Sequence, residues 1–134
     1  MGADDNIKAI QTIYEAFGRG DVATILEALT DDVDWATDTS STAAPWYGVR
    51  KGKAAVTAFF EAFGSAMEVE EFTPRTFAAN DTDVLTVVRC RAKSRATGKV
   101  MDMNLHHYFV FRGSKIAFYR GTEDTVQTVA VLAG

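Results

Sequence analysis

The hydrophobic pattern of this 134-residue chain changes once, near Val69, and the change constrains its fold more than any other feature. Before Val69, apolar residues recur at spacings of three and four, as on one face of a helix. After it, they alternate with polar residues at every second position, which is typical of strands with one buried face. Turn signals divide this second half into four predicted strands, at 69–79, 83–95, 100–111 and 115–123. The pattern predicts an α+β fold in which helices precede an antiparallel meander.

Three helices are predicted in the first half of the chain. The first is capped by Asp4 or Asp5, ends near Gly18, and carries the apolar stripe Ile7, Ile10, Tyr14 and Phe17. The second is short and begins after Asp21, a residue type that caps helices well. The third follows Gly52 and ends at Gly64. A short strand, 33–37, and a loop, 38–47, lie between the second and third helices.

The two central strands are predicted to form a hairpin around a two-residue turn, Thr97-Gly98, which pairs Val88 with His107. Alternation then points both of these side chains toward the helices. The opposite face carries Arg89, Arg91, His106 and Tyr108. For the last strand two registers remain open. A two-residue turn at 113–114 places Phe118 and Arg120 inward, where Arg120 favours an anionic ligand. A three-residue turn places Tyr119, Gly121 and Glu123 inward, where Tyr119 favours a neutral one.

Composition excludes several classes of protein. The net charge of −4 argues against a nucleic-acid partner, which a basic face would bind. The N-terminal residues lack the pattern of a signal peptide, and no apolar run is long enough to span a membrane, so we expect a cytoplasmic protein without a membrane partner. His106 and His107 are adjacent and point to opposite faces of a strand, so they cannot share a metal ion. No dinucleotide or phosphate-loop motif is present, and no cofactor is predicted.

Four segments of the sequence carry a resemblance to a known family. They run from Ile10 to Asp21, from Asp31 to Trp35, from Gly52 to Phe60 and from His107 to Ile116. In this order they resemble the SnoaL-like and ketosteroid-isomerase-like branch of the nuclear transport factor two-like superfamily. The resemblance implies a single domain, 1–134, with a cone-shaped curved antiparallel sheet wrapped around three N-terminal helices, as in cystatin-like folds. It also implies a small-molecule pocket at the open end of the cone and a homodimer formed through the sheet.

The resemblance also implies site residues. Tyr14 matches the tyrosine that donates to an oxyanion in the isomerases, and His107 stands where they have an acidic second donor. The position of their catalytic aspartate falls on Thr37, one residue before Asp38, and the acidic residue of the cyclases' last strand falls on Gly121. These departures argue against steroid isomerase activity.

We therefore predict catalytic roles for His107 as base or donor, Tyr14 as oxyanion donor and Asp38 as second base. The pocket is predicted to be lined by Trp35, Thr37, Trp46, Phe59, Val88, Phe109 and Tyr119. Three functions remain open: acid–base catalysis of the isomerase, cyclase or hydrolase type on an apolar carbonyl or hydroxyl compound, non-catalytic binding of a small molecule, and a dimeric interaction module. For Tyr14 and His107 the alternative is a structural role in the core.

Overall fold

The structure, a computed structural model, describes residues 2–134, which form four helices and six strands. The helices are α1 (Ala3–Gly18), α2 (Val22–Glu27), α3 (Lys53–Ala66) and α4 (Thr125–Leu132). The strands are β1 (Leu29–Thr37), β2 (Arg50–Lys51), β3 (Met67–Ala79), β4 (Asp83–Ser94), β5 (Val100–Arg112) and β6 (Lys115–Thr122). None of the described helices is long and apolar enough to cross a membrane.

The six strands form one curved, unclosed sheet in the order β2-β1-β6-β5-β4-β3. The predicted α+β class is confirmed, but the sheet is mixed rather than antiparallel, because β1 and β6 run parallel. The last strand of the meander β3–β6, which is β6, pairs with the early strand β1. Helices α1 and α3 pack on the inner face of the sheet, where most of the core lies.

The hairpin of β4 and β5 keeps the predicted faces but not the predicted pairing. Val88 pairs with Leu105 rather than with His107, which pairs with Thr86. The reason is the turn: the amide of Ser94 donates to the carbonyl of Lys99 (2.8 Å), so four residues, 95–98, lie within the turn instead of two. A shift of two residues leaves every side chain on its own face. His107 therefore faces the helices, as predicted, and His106 is exposed on the other side.

Strand β6 contains a one-residue bulge that decides which of its side chains face inward. The turn at 113–114 has the two residues that the sequence indicates, but the pairing shifts by one residue between Val110 and Phe111. This leaves Ala117 unpaired, and beyond a bulge the alternation of a strand continues with its faces exchanged. The inward set is therefore the one first associated with a three-residue turn, namely Tyr119, Gly121 and, just past the strand, Glu123.

Helix α4 was not predicted from the sequence. The carboxylate of Asp124 accepts a hydrogen bond from the amide of Gln127 (3.2 Å) and caps this helix at its first turn. Its buried residues, Thr128 and Val131, pack toward the open end of the sheet, whereas Val126 is 82% exposed. Because so little of α4 is buried, its apolar residues show little helical periodicity in the sequence. Only the capping residue, Asp124, indicates a helix there.

Candidate functional site

The inner face of the sheet and the helices enclose a cavity of about 90 Å³. Its wall is mostly aromatic, with Phe17, Trp35, Phe59, Phe60, Phe72 and Phe109 among the lining residues. Such a volume holds several water molecules or a small organic ligand, and it is below the roughly 300–1,000 Å³ of sites for drug-sized ligands. A ligand of this cavity is therefore small, or some of the rings move to admit it.

Three polar side chains form a hydrogen-bonded chain at the wall of the cavity. The hydroxyl of Tyr14, on α1, lies 2.7 Å from Nδ1 of His107 on β5. The same hydroxyl lies 2.6 Å from Oγ1 of Thr86 on β4. The pairing of Thr86 with His107 in neighbouring strands brings these two groups together, and the apolar stripe of α1 carries Tyr14 onto them. Two residues for which catalytic roles are predicted, Tyr14 and His107, thus lie within hydrogen-bond reach of each other.

Burial keeps the side chains of Tyr14 and His107 uncharged. It lowers the pKa of His107 to about 3, with a smaller contribution from His106, so the imidazole is neutral at physiological pH. It raises the pKa of Tyr14 well above the ordinary value of a phenol, and the hydrogen bond with Thr86 only partly opposes this effect. A neutral imidazole has one nitrogen that donates and one that accepts, and the hydrogen bonds decide which is which.

The number of available acceptors decides which group donates in each of these two hydrogen bonds. Within residues 2–134, the hydrogen of the Thr86 hydroxyl has no acceptor other than the Tyr14 oxygen, so we assign Thr86 as the donor in this pair. Tyr14 then accepts from Thr86 and donates its own proton to Nδ1 of His107. The proton of the imidazole is consequently on Nε2, which has no partner within residues 2–134. Because His107 lines the cavity, it offers an N–H donor to a ligand.

A second donor lies beside the imidazole. Tyr119 stacks on Trp35, with ring centroids 4.0 Å apart, and its ring is 5.4 Å from that of His107. Its ring lies over Gly121, where a Cβ atom would be only 2.9 Å from Cζ of Tyr119 and would collide with the hydroxyl. The glycine therefore makes room for the phenol. Burial, and then the proximity of Tyr14 and Glu123, raise the pKa of Tyr119, so its hydroxyl keeps its proton.

Glu123 is the one carboxylate that lines the cavity within the described chain. Its Oε2 accepts hydrogen bonds from the hydroxyls of Tyr47 (2.8 Å) and Thr128 (2.6 Å). Its Oε1 has a longer contact with Nε1 of Trp46 (3.4 Å). These bonds join β6, the loop that follows β1, and helix α4. The sequence presented Glu123 only as an inward residue of one of two registers, and its contacts could not be foreseen because α4 was not predicted.

The structure brings most of the predicted residues together and separates two of them. Tyr14 and His107 line the cavity, together with the predicted pocket residues Trp35, Thr37, Trp46, Phe59, Phe109 and Tyr119. Val88 is fully buried in the core and does not reach the cavity surface. Asp38 does not line the cavity: it is exposed and lies in a groove on the outer face of the sheet. The register of β1 with β6 shifts between Leu29 and Asp34 but is regular from Asp34 to Thr37, so no bulge next to Asp38 turns it inward.

That outer groove has a volume of about 780 Å³ and contains both apolar and polar side chains. Its lining includes Leu85, Val87, His106, Tyr108, Phe118 and Arg120. Leu85, near the start of β4, is 54% exposed. Within residues 2–134, no group of three or more His, Cys, Asp or Glu is arranged to hold a metal ion.

The helices, the curved sheet and the cavity between them define a protein with an NTF2-like (nuclear transport factor two-like) fold. Residues 10–119 match the SnoaL-like domain, and the chain belongs to this family. No curated protein matches the sequence.

Solved structures share this fold at low sequence identity. An NTF2-like protein of unknown function from Burkholderia pseudomallei has a TM-score of 0.89 and 21% identity, with 97% of this chain and 98% of that one covered. TerC, co-crystallised with polyporic acid, has a TM-score of 0.84 and 21% identity over 97% and 99% of the two chains. An LEH-like epoxide hydrolase from M. tuberculosis has a TM-score of 0.73 and 16% identity over 97% and 90%.

Proposed function

We propose that this chain binds a small, mostly apolar carbonyl compound in the cavity and polarises its carbonyl group. The observation that supports this most directly is the neutral imidazole of His107. Its Nδ1 is occupied by Tyr14, and its Nε2 proton is free. A carbonyl oxygen that accepts from this N–H and from the Tyr119 hydroxyl would sit between two donors on an apolar wall. Donors held in such a water-poor site stabilise the negative charge that develops on oxygen during proton transfer.

This arrangement revises the role predicted for Tyr14. Its single proton is donated to His107, so it positions the imidazole instead of donating to the ligand. A polarised carbonyl makes a neighbouring C–H bond more acidic, which is the first requirement of isomerase-like and cyclase-like acid–base reactions that need no cofactor. The fold shared with an epoxide hydrolase is compatible with such chemistry but does not specify it.

A second candidate function is binding without turnover. It is favoured by the position of Asp38, because the carboxylate predicted to act as second base lies outside the cavity. The two candidates share the same ligand site. They differ in whether the bound carbonyl compound exchanges or loses a proton.

Acetophenone provides a test, because it combines an apolar ring with one carbonyl. Trp35 and Trp46 line the cavity, so binding should change their fluorescence. The infrared carbonyl band of bound acetophenone should move to lower frequency, as expected for an oxygen that accepts two hydrogen bonds. His107→Ala should abolish the band shift and weaken binding about tenfold or more, whereas His106→Ala on the outer face should change neither. Absence of binding, or an unshifted band in the wild type, would contradict the proposal.

Turnover is measured separately by exchange of the methyl hydrogens of acetophenone in deuterated water. Exchange that depends on His107 supports catalysis. Binding with a shifted band but without exchange above the rate in buffer supports the second candidate.

We also propose that the chain forms a homodimer through the outer groove. Leu85, Val87 and Phe118 give this face an apolar surface, and a partner covering it would remove that surface from water. Sedimentation should give a dimer at micromolar concentration, and a monomer there would contradict this. The cytoplasmic location and the absence of nucleic-acid partners stay predictions.

A further inference from the structure

The charge of Glu123 is not balanced by any cation in the cavity. The lining contains no lysine or arginine, and no basic group of residues 2–134 lies within 4 Å of the Glu123 carboxylate. Its partners are two hydroxyls and an indole, which are neutral donors. Arg120, the basic residue nearest along the chain, points to the outer face and pairs with Asp34 at 2.9 Å. The cavity therefore contains one uncompensated negative charge.

Neighbouring groups respond to this charge. The pKa of the Cys90 thiol is raised to about 11, first by burial and next by Glu123. The pKa of Tyr119 is raised first by burial, and Glu123 adds to that effect. Both shifts have the sign expected when a carboxylate opposes a second negative charge nearby. An anionic group on a ligand would meet the same opposition.

Glu123 also has room for another donor. A carboxylate has about four lone-pair sites, and the two short hydrogen bonds here both end on Oε2. Oε1 has only the long contact with Trp46, at 3.4 Å. A hydroxyl or amine of a ligand can therefore bind to Oε1 without displacing Tyr47 or Thr128.

The donors and the acceptor stand at different levels of the cavity. Gly121 pairs with His107 across the sheet, and the Tyr119 ring lies over Gly121. Glu123 follows two residues later, which is about 7 Å along an extended chain. A ligand that satisfies both ends has a hydrogen-bond acceptor at one end and a donor at the other, separated by about one ring.

We propose that the cavity selects uncharged or cationic hydroxy- or amino-substituted carbonyl compounds, and excludes carboxylates, because Glu123 binds the donor group of the ligand while His107 and Tyr119 hold the carbonyl. This inference rests on the proposed function, since it requires the carbonyl site at His107. It adds a second binding site, with a stated preference for ligand charge.

A series of three ligands of similar size tests this on the wild-type protein. Acetophenone has no group for Glu123, 4′-hydroxyacetophenone adds a donor, and 4-acetylbenzoate adds a negative charge. By tryptophan fluorescence at neutral pH, we expect the hydroxyl compound to bind about tenfold more tightly than acetophenone. We expect the carboxylate to bind at least tenfold more weakly. Equal affinities, or tightest binding of 4-acetylbenzoate, overturn the inference.

Glu123→Gln assigns the preference to this residue. The amide has nearly the same shape and can still accept from Tyr47 and Thr128, but it has no charge. The variant should reduce the advantage of 4′-hydroxyacetophenone to about threefold or less and should bind 4-acetylbenzoate better than the wild type does. Glu61→Gln removes the same charge from an exposed position of α3 and should retain the wild-type order. If Glu123→Gln does not fold, the ligand series on the wild type still decides.

The outcomes separate this inference from the proposed function. If acetophenone does not bind, both fall. If acetophenone binds in a manner that depends on His107, but Glu123→Gln leaves the order of the three ligands unchanged, only the preference assigned to Glu123 falls.

Discussion

The two faces of the sheet carry similar residue types and give them different chemistry. His106 and His107 are neighbours on β5, as Tyr119 and Arg120 are on β6. On the inner face, His107 and Tyr119 are surrounded by aromatic rings and stay neutral. On the outer face, Arg120 forms an ion pair with Asp34. The comparison attributes the neutral state of His107 and Tyr119 to their burial among apolar side chains, because His106, on the other face of the same strand, is exposed to water.

The largest expected difference between the two faces is in the response to acid. The folded protein keeps His107 neutral down to a pKa of about 3, whereas the unfolded chain protonates it near 6.5. Because the unfolded state binds the proton first, this contribution to stability is complete above pH 6.5 and decreases as the pH falls toward 3. It amounts to about 3 kcal/mol between pH 6.5 and pH 4.

Urea unfolding at both pH values measures this loss. His107→Gln should flatten the dependence, and His106→Gln should leave it as in the wild type. If the free energy of unfolding depends on pH equally in the two variants, His107 is not held neutral in the folded protein.

The next largest effect on stability is expected from a comparison of two tyrosines, Tyr14 on the inner face of the sheet and Tyr108 on the outer face. Tyr14→Phe removes the partner of both Nδ1 of His107 and the Thr86 hydroxyl, so we expect a loss of about 2 kcal/mol in the free energy of unfolding. Tyr108→Phe removes only a hydrogen bond to Asp83 at the surface and should cost no more than about 0.5 kcal/mol.

The position of the proton on the His107 imidazole tests the role assigned to Tyr14. In ¹⁵N spectra the wild type should show His107 protonated on Nε2, and Tyr14→Phe should give a mixture of the two tautomers. A wild-type spectrum with the proton on Nδ1 would reverse the assigned direction of the hydrogen-bonded chain.

A smaller effect is expected where Tyr119 lies over Gly121. Gly121→Ala places a methyl group against the phenol, which is wedged between Trp35 and Phe109, so we expect a loss of about 1 kcal/mol and a several-fold weaker affinity for acetophenone. Gly64→Ala is the matched control, because this helical position has open space around it and gains helix propensity. Thermal unfolding and fluorescence titration of both variants measure the contrast. A neutral outcome at Gly121 would mean that the phenol does not need its position there.

The smallest effect on folding is expected on the outer face. Leu85→Lys should change the unfolding free energy of the monomer by no more than about 0.5 kcal/mol, because the side chain is already in solvent there. Its effect should be on association, with a dimer that dissociates at higher protein concentration than the wild type. Val49→Lys, at another exposed apolar position, should leave association unchanged. Sedimentation velocity distinguishes the two, and identical behaviour would remove the groove from the interface.

The sequence predicted those parts of the molecule that depend on local periodicity. The stripe of α1 and the alternation along β5 placed Tyr14 and His107 correctly, because a strand's faces do not change when the register shifts by two residues. It could not predict the parallel pairing of β1 with β6, which depends on tertiary packing of distant segments. Nor could it choose the inward face of β6, since the bulge at Ala117 lies inside a strand and has no turn residue to mark it. The inward position of Glu123 therefore stayed one of two alternatives at the level of the sequence.

The bulge in β6 determines which side chains of this strand a ligand in the cavity would meet. With Ala117 present, the strand presents a phenol and a glycine to the cavity and keeps its guanidinium outside. Removing one residue at this point would exchange the two faces from 118 onward, so that a cation would enter the cavity and the aromatic hydroxyl would leave it. Deletion of a single codon would thus reverse the charge preference that we propose for the cavity, from neutral or basic ligands to acidic ones, with the rest of the scaffold unchanged.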